Sequence, residues 1–244
     1  MTTKTTFLES RAGKWLGVQG GASSHTEKLV SLVGGFAGIL GILLVSGYFL
    51  EGGPYLLIVA SMGASAVLLF GVPHGPLSQP WPLLGGHLVS ALVGVTCAKL
   101  IPVPLLSAPL AVGLAIWAMY YLRCIHPPGG ATALAANISG PAVLALGYQY
   151  VLTPVALNAI VILAVAIVVN HPFAWRRYPV SLVEKKPAPA GSDEQGYEPI
   201  EHADLVYALS EINSFIDISE QDLLRIYELA TRREHPHTGS AESD

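Results

Sequence analysis

The sequence predicts an all-α membrane protein with about six transmembrane helices and a short cytoplasmic helical tail. Hydrophobic residues make up 52% of the 244 residues and charged residues only 12%, whereas soluble domains carry about 25% charged residues. The charges are also unevenly distributed. Between Leu29 and Asn170 the only Asp, Glu, Lys or Arg residues are Glu51, Lys99 and Arg123. A stretch of this length with so few charges is suited to lipid rather than to water.

Six apolar stretches are candidate membrane spans. Each is close to the roughly 20 residues that a helix needs to cross the hydrocarbon layer. Glycine, proline and charged residues separate the stretches, and Gly140 with Pro141 marks such a break. We place the spans near residues 29–50, 54–72, 82–101, 106–122, 128–147 and 153–170.

Lys and Arg residues predict the orientation, because they concentrate on the cytoplasmic side of membrane proteins. The N-terminal arm, residues 1–28, is basic and has no apolar core of its own, so we expect it to be retained rather than cleaved as a signal. Arg123 follows the fourth span, and Arg176 and Arg177 follow the sixth. With six spans these places fall on one side, so both termini are expected in the cytoplasm.

Composition divides the chain into five segments. A basic arm precedes the apolar region, and a Pro- and Ala-rich, then acidic, stretch follows it as a flexible linker. Two short amphipathic stretches near the C-terminus predict helices that pair or pack elsewhere, since they are marginal alone. The predicted segments are a cytoplasmic arm 1–28, a transmembrane domain 29–178, a linker 179–200, a helical tail 201–234 and a disordered end 235–244.

Two short segments resemble each other and predict a 3+3 inverted repeat. Residues 63–66 read Gly-Ala-Ser-Ala and residues 130–133 read Gly-Ala-Thr-Ala, and proline precedes both. Halves of three spans each must cross the membrane in opposite senses, which is a recurrent plan in secondary transporters. The alternative is that these small residues only let helices pack closely.

The string at residues 123–133, Arg-Cys-Ile-His-Pro-Pro-Gly-Gly-Ala-Thr-Ala, is the most unusual in the chain. Proline is well tolerated in the first helical turn, so Pro127 and Pro128 should open the fifth span. We expect free N–H groups from Gly129 onward, at a helix end that suits an anion. The alternative is a tight loop whose arginine only follows the positive-inside rule.

Several polar or small side chains could complete an anion site near this helix start. His87 lies in the third span, where an ionisable residue usually forms a hydrogen bond or faces a substrate. The predicted substrate-binding residues lie at helix starts or beside them: Gly63, Ala64, Ser65, His87, Arg123, His126, Gly129, Gly130 and Thr132. The predicted structural-motif residues are Gly85, Gly86, Pro127 and Pro128.

The same string resembles a known family. Residues 126–134, His-Pro-Pro-Gly-Gly-Ala-Thr-Ala-Leu, are similar to the signature of the HPP family of integral membrane proteins, and residues 62–70 and 77–94 resemble its other blocks. The resemblance covers residues 54–178 and implies a membrane transport-type domain. It also implies a bacterial inner membrane location, and plant and cyanobacterial relatives of this family are associated with nitrite movement.

The expected function is therefore a carrier or channel for a small inorganic anion, with nitrite as the suggestion from the family. Two alternatives stay open: a membrane scaffold or sensor that acts through its tail, and a transporter of a small organic acid. A cation is disfavoured because cation pathways usually contain carboxylates. The expected partners are a small anion, the lipid bilayer and a second copy of the chain.

Other classes of function lack their sequence signatures. There is no HExxH, GxSxG or Walker-type motif, so no catalytic residue and no enzyme activity are expected. His74, His87 and His126 have neither regular spacing nor an acidic partner, so no metal is expected. The formal net charge of −4 provides no basic patch for nucleic acid. No cofactor is expected.

Overall fold

The computed structural model describes residues 24–49 and 55–182, and in these ranges all regular structure is helical. The N-terminal part of the predicted arm, most of the linker, the helical tail and the predicted disordered end lie outside the described residues. The helices are α1 His25–Phe49, α2 Tyr55–Gly71, α3 Pro80–Leu100, α4 Pro104–Tyr121, α5 Pro127–Ile138, α6 Pro141–Leu146 and α7 Leu157–Asn170. Short helical turns occur at Pro76–Ser78, Val151–Ala156 and Val180–Leu182.

Proline begins four of these helices, namely at Pro80, Pro104, Pro127 and Pro141. The first N–H groups of a helix have no intrahelical acceptor, so a residue without an N–H loses nothing there. The fixed φ of proline also matches the helix. Proline therefore sets where these apolar helices start.

Four helical segments are long and apolar enough to cross a membrane, as judged by length and composition of the described residues. They are His25–Gly47, Pro80–Leu100, Pro104–Tyr121 and Val151–Asn170, and Ala60–Gly71 is apolar but shorter. Large apolar side chains cover their outer faces, including Phe36, Leu105 and Val168. An apolar exterior of this kind is what a lipid environment requires.

The predicted fifth span, residues 128–147, is wrong as a single helix. Helix α5 ends at Ile138, and α6 begins only after Gly140, whose φ is +93°. Such a backbone conformation suits glycine and interrupts a helix. With 12 residues, α5 is about 18 Å long, which is less than the hydrocarbon thickness of about 30 Å. By length and composition, the described residues contain four candidate spans rather than six.

The contacts between the helices follow a symmetric pattern. Helix α1 contacts α2 and α7, while α4 contacts α5 and α3. Helices α2 and α5 contact each other. Helix α2 also contacts α7, and helix α5 also contacts α3. The contacts map onto one another when α1 is exchanged with α4, α2 with α5 and α3 with α7. The helices are therefore packed as two similar groups of three.

A buried arginine joins three helix ends. Arg176 is only 1% exposed and forms an ion pair with Glu27 at the start of α1. It donates hydrogen bonds to Ser31 Oγ at 3.1 Å, Asn170 Oδ1 at 3.1 Å and the carbonyl oxygen of Phe70 at 2.7 Å. Burial lowers the pKa of Arg176, and the Glu27 carboxylate opposes that shift. The start of α1 and the ends of α2 and α7 thus lie together, at what we name the Glu27 end.

Candidate functional site

Four polar side chains from three helices meet in the interior. Ser65 lies on α2, His87 on α3, and Thr132 on α5, while His126 is the residue immediately before α5. All four have no exposed surface. We name this group the histidine network, and it contains four of the nine residues predicted to bind substrate.

Short hydrogen bonds connect the histidine network. Ser65 Oγ lies 2.8 Å from His87 Nε2 and 2.9 Å from His126 Nε2. His87 Nδ1 lies 2.7 Å from Thr132 Oγ1, and His126 Nδ1 lies 2.9 Å from the carbonyl oxygen of Leu77. The two imidazole rings are 4.9 Å apart between centroids and are inclined at 64°. Every ring nitrogen therefore has one partner.

The carbonyl of Leu77 determines the protonation of the neutral network, because a carbonyl only accepts hydrogen bonds. His126 must carry its proton on Nδ1, so its Nε2 accepts from the Ser65 hydroxyl. Ser65 has a single proton, so its contact with His87 requires that His87 Nε2 donates. His87 Nδ1 then accepts from the Thr132 hydroxyl. The four residues form one hydrogen-bond chain that runs in a single direction, with the two histidines in opposite tautomers.

The loop that carries Leu77 is tied to the segment after α7. The Tyr178 hydroxyl donates to the carbonyl oxygen of Ser78 at 2.7 Å, and the backbone N–H of Val180 donates to Gln79 Oε1 at 3.1 Å. The Gln79 amide also donates to two carbonyls inside the loop. These bonds hold the Leu77 carbonyl against His126.

Two participants were missed by sequence reasoning. The Tyr150 hydroxyl donates to the backbone carbonyl of Thr132 at 2.9 Å, and the Leu77 carbonyl accepts from His126. A backbone carbonyl carries no signal in the sequence. The only signal for Tyr150 is a phenol three residues after Gly147, where the apolar pattern is interrupted.

Glycines let α3 and α5 approach the network closely. A Cβ added at Gly86 would lie 2.5 Å from His126 Cβ, and one added at Gly129 would lie 2.7 Å from Ser90 Oγ. A Cβ added at Gly85 would lie 2.9 Å from Cys124 Cβ. Real Cβ atoms do not come so close, so these three positions require glycine.

Five of the nine predicted substrate-binding residues lie outside the network, and Gly63, Ala64 and Gly130 are among them. A Cβ at Gly63 would meet no atom within 4 Å, and one at Gly130 would meet only Val112 at 3.9 Å. Ala64 is exposed. The prediction that Gly63 lies at a helix start is wrong, because α2 already begins at Tyr55. The N–H groups near Gly63 are therefore used inside the helix.

The start of α5 offers fewer donors than expected. Pro127 and Pro128 have no N–H group, and the Gly129 N–H donates to the carbonyl oxygen of His126 at 2.8 Å. The expectation of free N–H groups from Gly129 onward is therefore wrong at Gly129. The capacity of this region to donate hydrogen bonds lies in its side chains instead.

Arg123 is placed at the surface rather than in the network. It occupies the turn between α4 and α5 with a φ of +52°, and its side chain is exposed. Within residues 24–49 and 55–182 no group of three or more His, Cys, Asp or Glu side chains is placed to hold a metal ion. The site is thus built from imidazole and hydroxyl groups.

Comparison with known proteins gives the family. The profile described as "HPP, transmembrane region" matches residues 21–179. Two curated relatives from Dictyostelium discoideum are described as transmembrane proteins. One is 39% identical over 158 residues, which cover 62% of this chain and 49% of the relative. The other is 36% identical over 153 residues, which cover 59% and 52%.

The chain spans about half the length of these curated relatives. No solved structure matches it. The profile match extends over more than half of the chain and includes the histidine network, which agrees with the resemblance seen in residues 126–134. The chain is a multi-pass membrane protein, and it belongs to the HPP family.

Proposed function

We propose that the protein carries a small inorganic anion across a membrane, with nitrite as the candidate that the family suggests. The observation that supports this is the histidine network. His87 and His126 are completely buried among apolar helices, where a polar group is costly unless it is paired. Ionisable residues in such places usually mark a path for a substrate or a proton. We therefore propose carriage rather than catalysis.

The charges around the network favour an anion over a cation. Residues 55–170 contain no Asp or Glu, so no carboxylate from this range can stabilise a cation. Positive charge in the network can arise by protonation of His87 or His126, whereas Arg123 lies at the surface. An anion would accept hydrogen bonds from the Ser65 and Thr132 hydroxyls and from a protonated imidazole.

Binding requires the network to rearrange. In the neutral arrangement every donor of the four side chains is already used within the network or by Leu77. An incoming anion must therefore replace one of these acceptors. The most direct replacement is at Ser65, where the hydroxyl and both imidazoles converge.

We also propose six membrane crossings built as an inverted repeat. The exchange of α1–α2–α3 with α4–α5–α7 preserves the helix contacts, and α2 and α5 carry the two similar segments 63–66 and 130–133. Ser65 and Thr132 occupy equivalent positions in these segments, and both belong to the network. The interruption between α5 and α6 resembles the broken helices that form binding sites in transporters with such repeats.

The proposed location is a bacterial inner membrane, with both termini in the cytoplasm. The orientation is supported by the basic residues after the fourth and sixth spans. The ion pair between Glu27 and Arg176 brings the start of α1 and the end of α7 together, as an even number of crossings requires. The bacterial assignment depends on the family resemblance, and the curated relatives come from Dictyostelium discoideum.

Uptake into proteoliposomes tests the proposed function. The purified chain would be offered nitrite, nitrate, formate and potassium, with protein-free vesicles as the control for leakage. The proposal predicts saturable uptake of nitrite or nitrate. If formate is the only ion taken up, the substrate is a small organic acid rather than an inorganic anion. Uptake of no anion by correctly folded protein would reject carriage and favour the scaffold or sensor.

A further inference from the structure

We propose that the histidine network is a proton-binding site that takes up one proton and shares it between His87 and His126. The inference deepens the proposed function, on which it depends for its role, because it names the proton as the ion that accompanies the anion. The binding of the proton itself is a property of the network and can be measured without transport.

The neutral chain leaves two basic nitrogen atoms. His126 Nε2 accepts from the Ser65 hydroxyl, and His87 Nδ1 accepts from the Thr132 hydroxyl. A proton can add to either lone pair only if the hydroxyl that now donates to it can turn away. Otherwise two donors would face each other inside the protein, which is costly.

Each hydroxyl has a second acceptor one helical turn back. Ser65 Oγ lies 3.4 Å from the carbonyl oxygen of Ser61, and Thr132 Oγ1 lies 3.4 Å from the carbonyl oxygen of Pro128. When a proton adds to His126 Nε2, the Ser65 hydroxyl can donate to Ser61, and its oxygen then accepts from both rings. The rotation of a hydroxyl group is sufficient, and no helix needs to move.

The same rotation of a hydroxyl group accommodates a proton on His87. When the proton adds to His87 Nδ1, the Thr132 hydroxyl turns to Pro128, and its oxygen accepts from His87. The two protonated forms differ only in which ring is charged and which hydroxyl has turned. The added proton comes from water, and only hydrogen bonds are broken and formed. Both forms keep every donor paired, so the proton can reside on either ring.

The network holds one proton rather than two. Two charged imidazoles with centroids 4.9 Å apart would repel each other strongly in a buried site. No carboxylate in residues 55–170 can offset this charge. The nearby titratable groups include the Tyr150 phenol, which donates to the backbone carbonyl of Thr132, and the thiol of Cys124, two residues before His126. Neither group can neutralise a second imidazolium, because each is uncharged near neutral pH and becomes negative only at alkaline pH.

Of the two rings, His126 lies beside exposed residues at the Glu27 end. His126 is followed by the exposed Pro127, and its Nδ1 partner Leu77 is partly exposed in the loop after α2. From His126 the hydrogen-bond chain leads through Ser65 and His87 to Thr132, deeper along α5.

Nitrogen NMR of the imidazoles tests this inference on the full chain in lipid nanodiscs. Near neutral pH, His126 is expected as the Nδ1–H tautomer and His87 as the Nε2–H tautomer. On acidification from well above to well below the ordinary histidine pKa of about 6.5, as far as the protein stays folded, both rings should change together and gain one proton in total. The exposed His171 is the reference, and its substitution His171→Gln should remove one signal without altering the pair.

A Ser65→Ala variant should separate the two rings, so that their signals no longer change together, while Ser65→Thr keeps the hydroxyl and the coupling. If Ser65→Ala does not fold, the wild-type titration alone decides. Equal tautomers for the two histidines would overturn the proposal. So would uptake of two protons by the pair, or of none while the protein remains folded.

The uptake experiment and the NMR titration can each reject one proposal without rejecting the other. If the pair binds one proton but the vesicles take up no anion, the proton site stands and the proposed function falls. If nitrite enters the vesicles but the pair binds no proton, carriage stands and the present inference falls. A proton site that serves transport also requires that uptake of nitrite increases when the outside is made more acidic than the inside.

Discussion

Gly86 is the position where replacing the glycine hydrogen with a side chain would disturb the histidine network most. An added Cβ would lie 2.5 Å from His126 Cβ and 3.0 Å from the carbonyl oxygen of Cys124. Neither neighbour can move without disturbing the start of α5. The glycine therefore fixes the distance between α3 and the His126 ring.

We predict that Gly86→Ala lowers the stability of the purified protein by about 1–3 kcal/mol, as overpacking of a filled interior usually does. Gly63→Ala is the matched control, because its Cβ would meet no atom within 4 Å and alanine favours a helix over glycine by up to roughly 1 kcal/mol. Thermal unfolding of both variants in the same detergent is the measurement. Equal midpoints for the two variants would contradict the packing described for α3 and α5.

At the scale of helices, the arrangement at the Glu27 end depends on Arg176. Its guanidinium reaches Glu27 and Ser31 on α1, Phe70 on α2 and Asn170 on α7. Only the planar fork of arginine has enough donors in suitable directions for these four partners. A lysine keeps the charge but cannot replace the geometry.

Arg176→Lys is therefore expected to destabilise the protein by about 2 kcal/mol or more, because hydrogen bonds to charged groups contribute roughly 1.5–3 kcal/mol each. The thermal midpoint should fall by about 4–8 °C. Arg177→Lys is the control, since Arg177 is exposed and exposed substitutions usually change stability by less than about 0.5 kcal/mol. A similar midpoint for Arg176→Lys and wild type would show that the buried arginine does not hold the helix ends.

The helix bounds also show how much of the fold could be predicted from the sequence. Clusters of glycine, proline and charged residues predicted the bounds of α1 to α4 within a few residues, because such clusters favour turns and loops. The same reasoning treated Gly63 as a helix start, although Gly63 lies inside α2. The predicted fifth span also runs across the break recognised at Gly140 and Pro141, because residues 141–146 remain apolar. The positive φ of Gly140 depends on how the chain folds back, and hydropathy does not report it.

At the scale of the whole molecule, the members of the site were predicted, but the hydrogen bonds between them were not. His87 was included because polar groups are costly among apolar residues, and Ser65 and Thr132 because they occupy matching positions in the two similar segments. Their mutual hydrogen bonds require that α2, α3 and α5 meet, which no pattern in the sequence indicates. Arg123 was included because it is near in sequence, yet the turn that contains it points to the surface.

The central proposal is that the histidine network binds the anion that the protein is proposed to carry. Thr132 tests it well, since Thr132→Val removes a hydroxyl with little change in volume, whereas Thr132→Ser keeps the hydroxyl. Without the hydroxyl, His87 Nδ1 loses the partner that lies at 2.7 Å in the wild type. The network can then neither orient His87 nor accept a proton there as proposed.

The most direct measurement is the initial rate of nitrite uptake into proteoliposomes, normalised to the amount of folded protein. We expect Thr132→Val to transport about tenfold more slowly than wild type, which corresponds to about 1.4 kcal/mol and to the loss of one buried hydrogen bond. Thr132→Ser should stay close to the wild-type rate. A folded Thr132→Val protein that carries nitrite at the wild-type rate would contradict the claim.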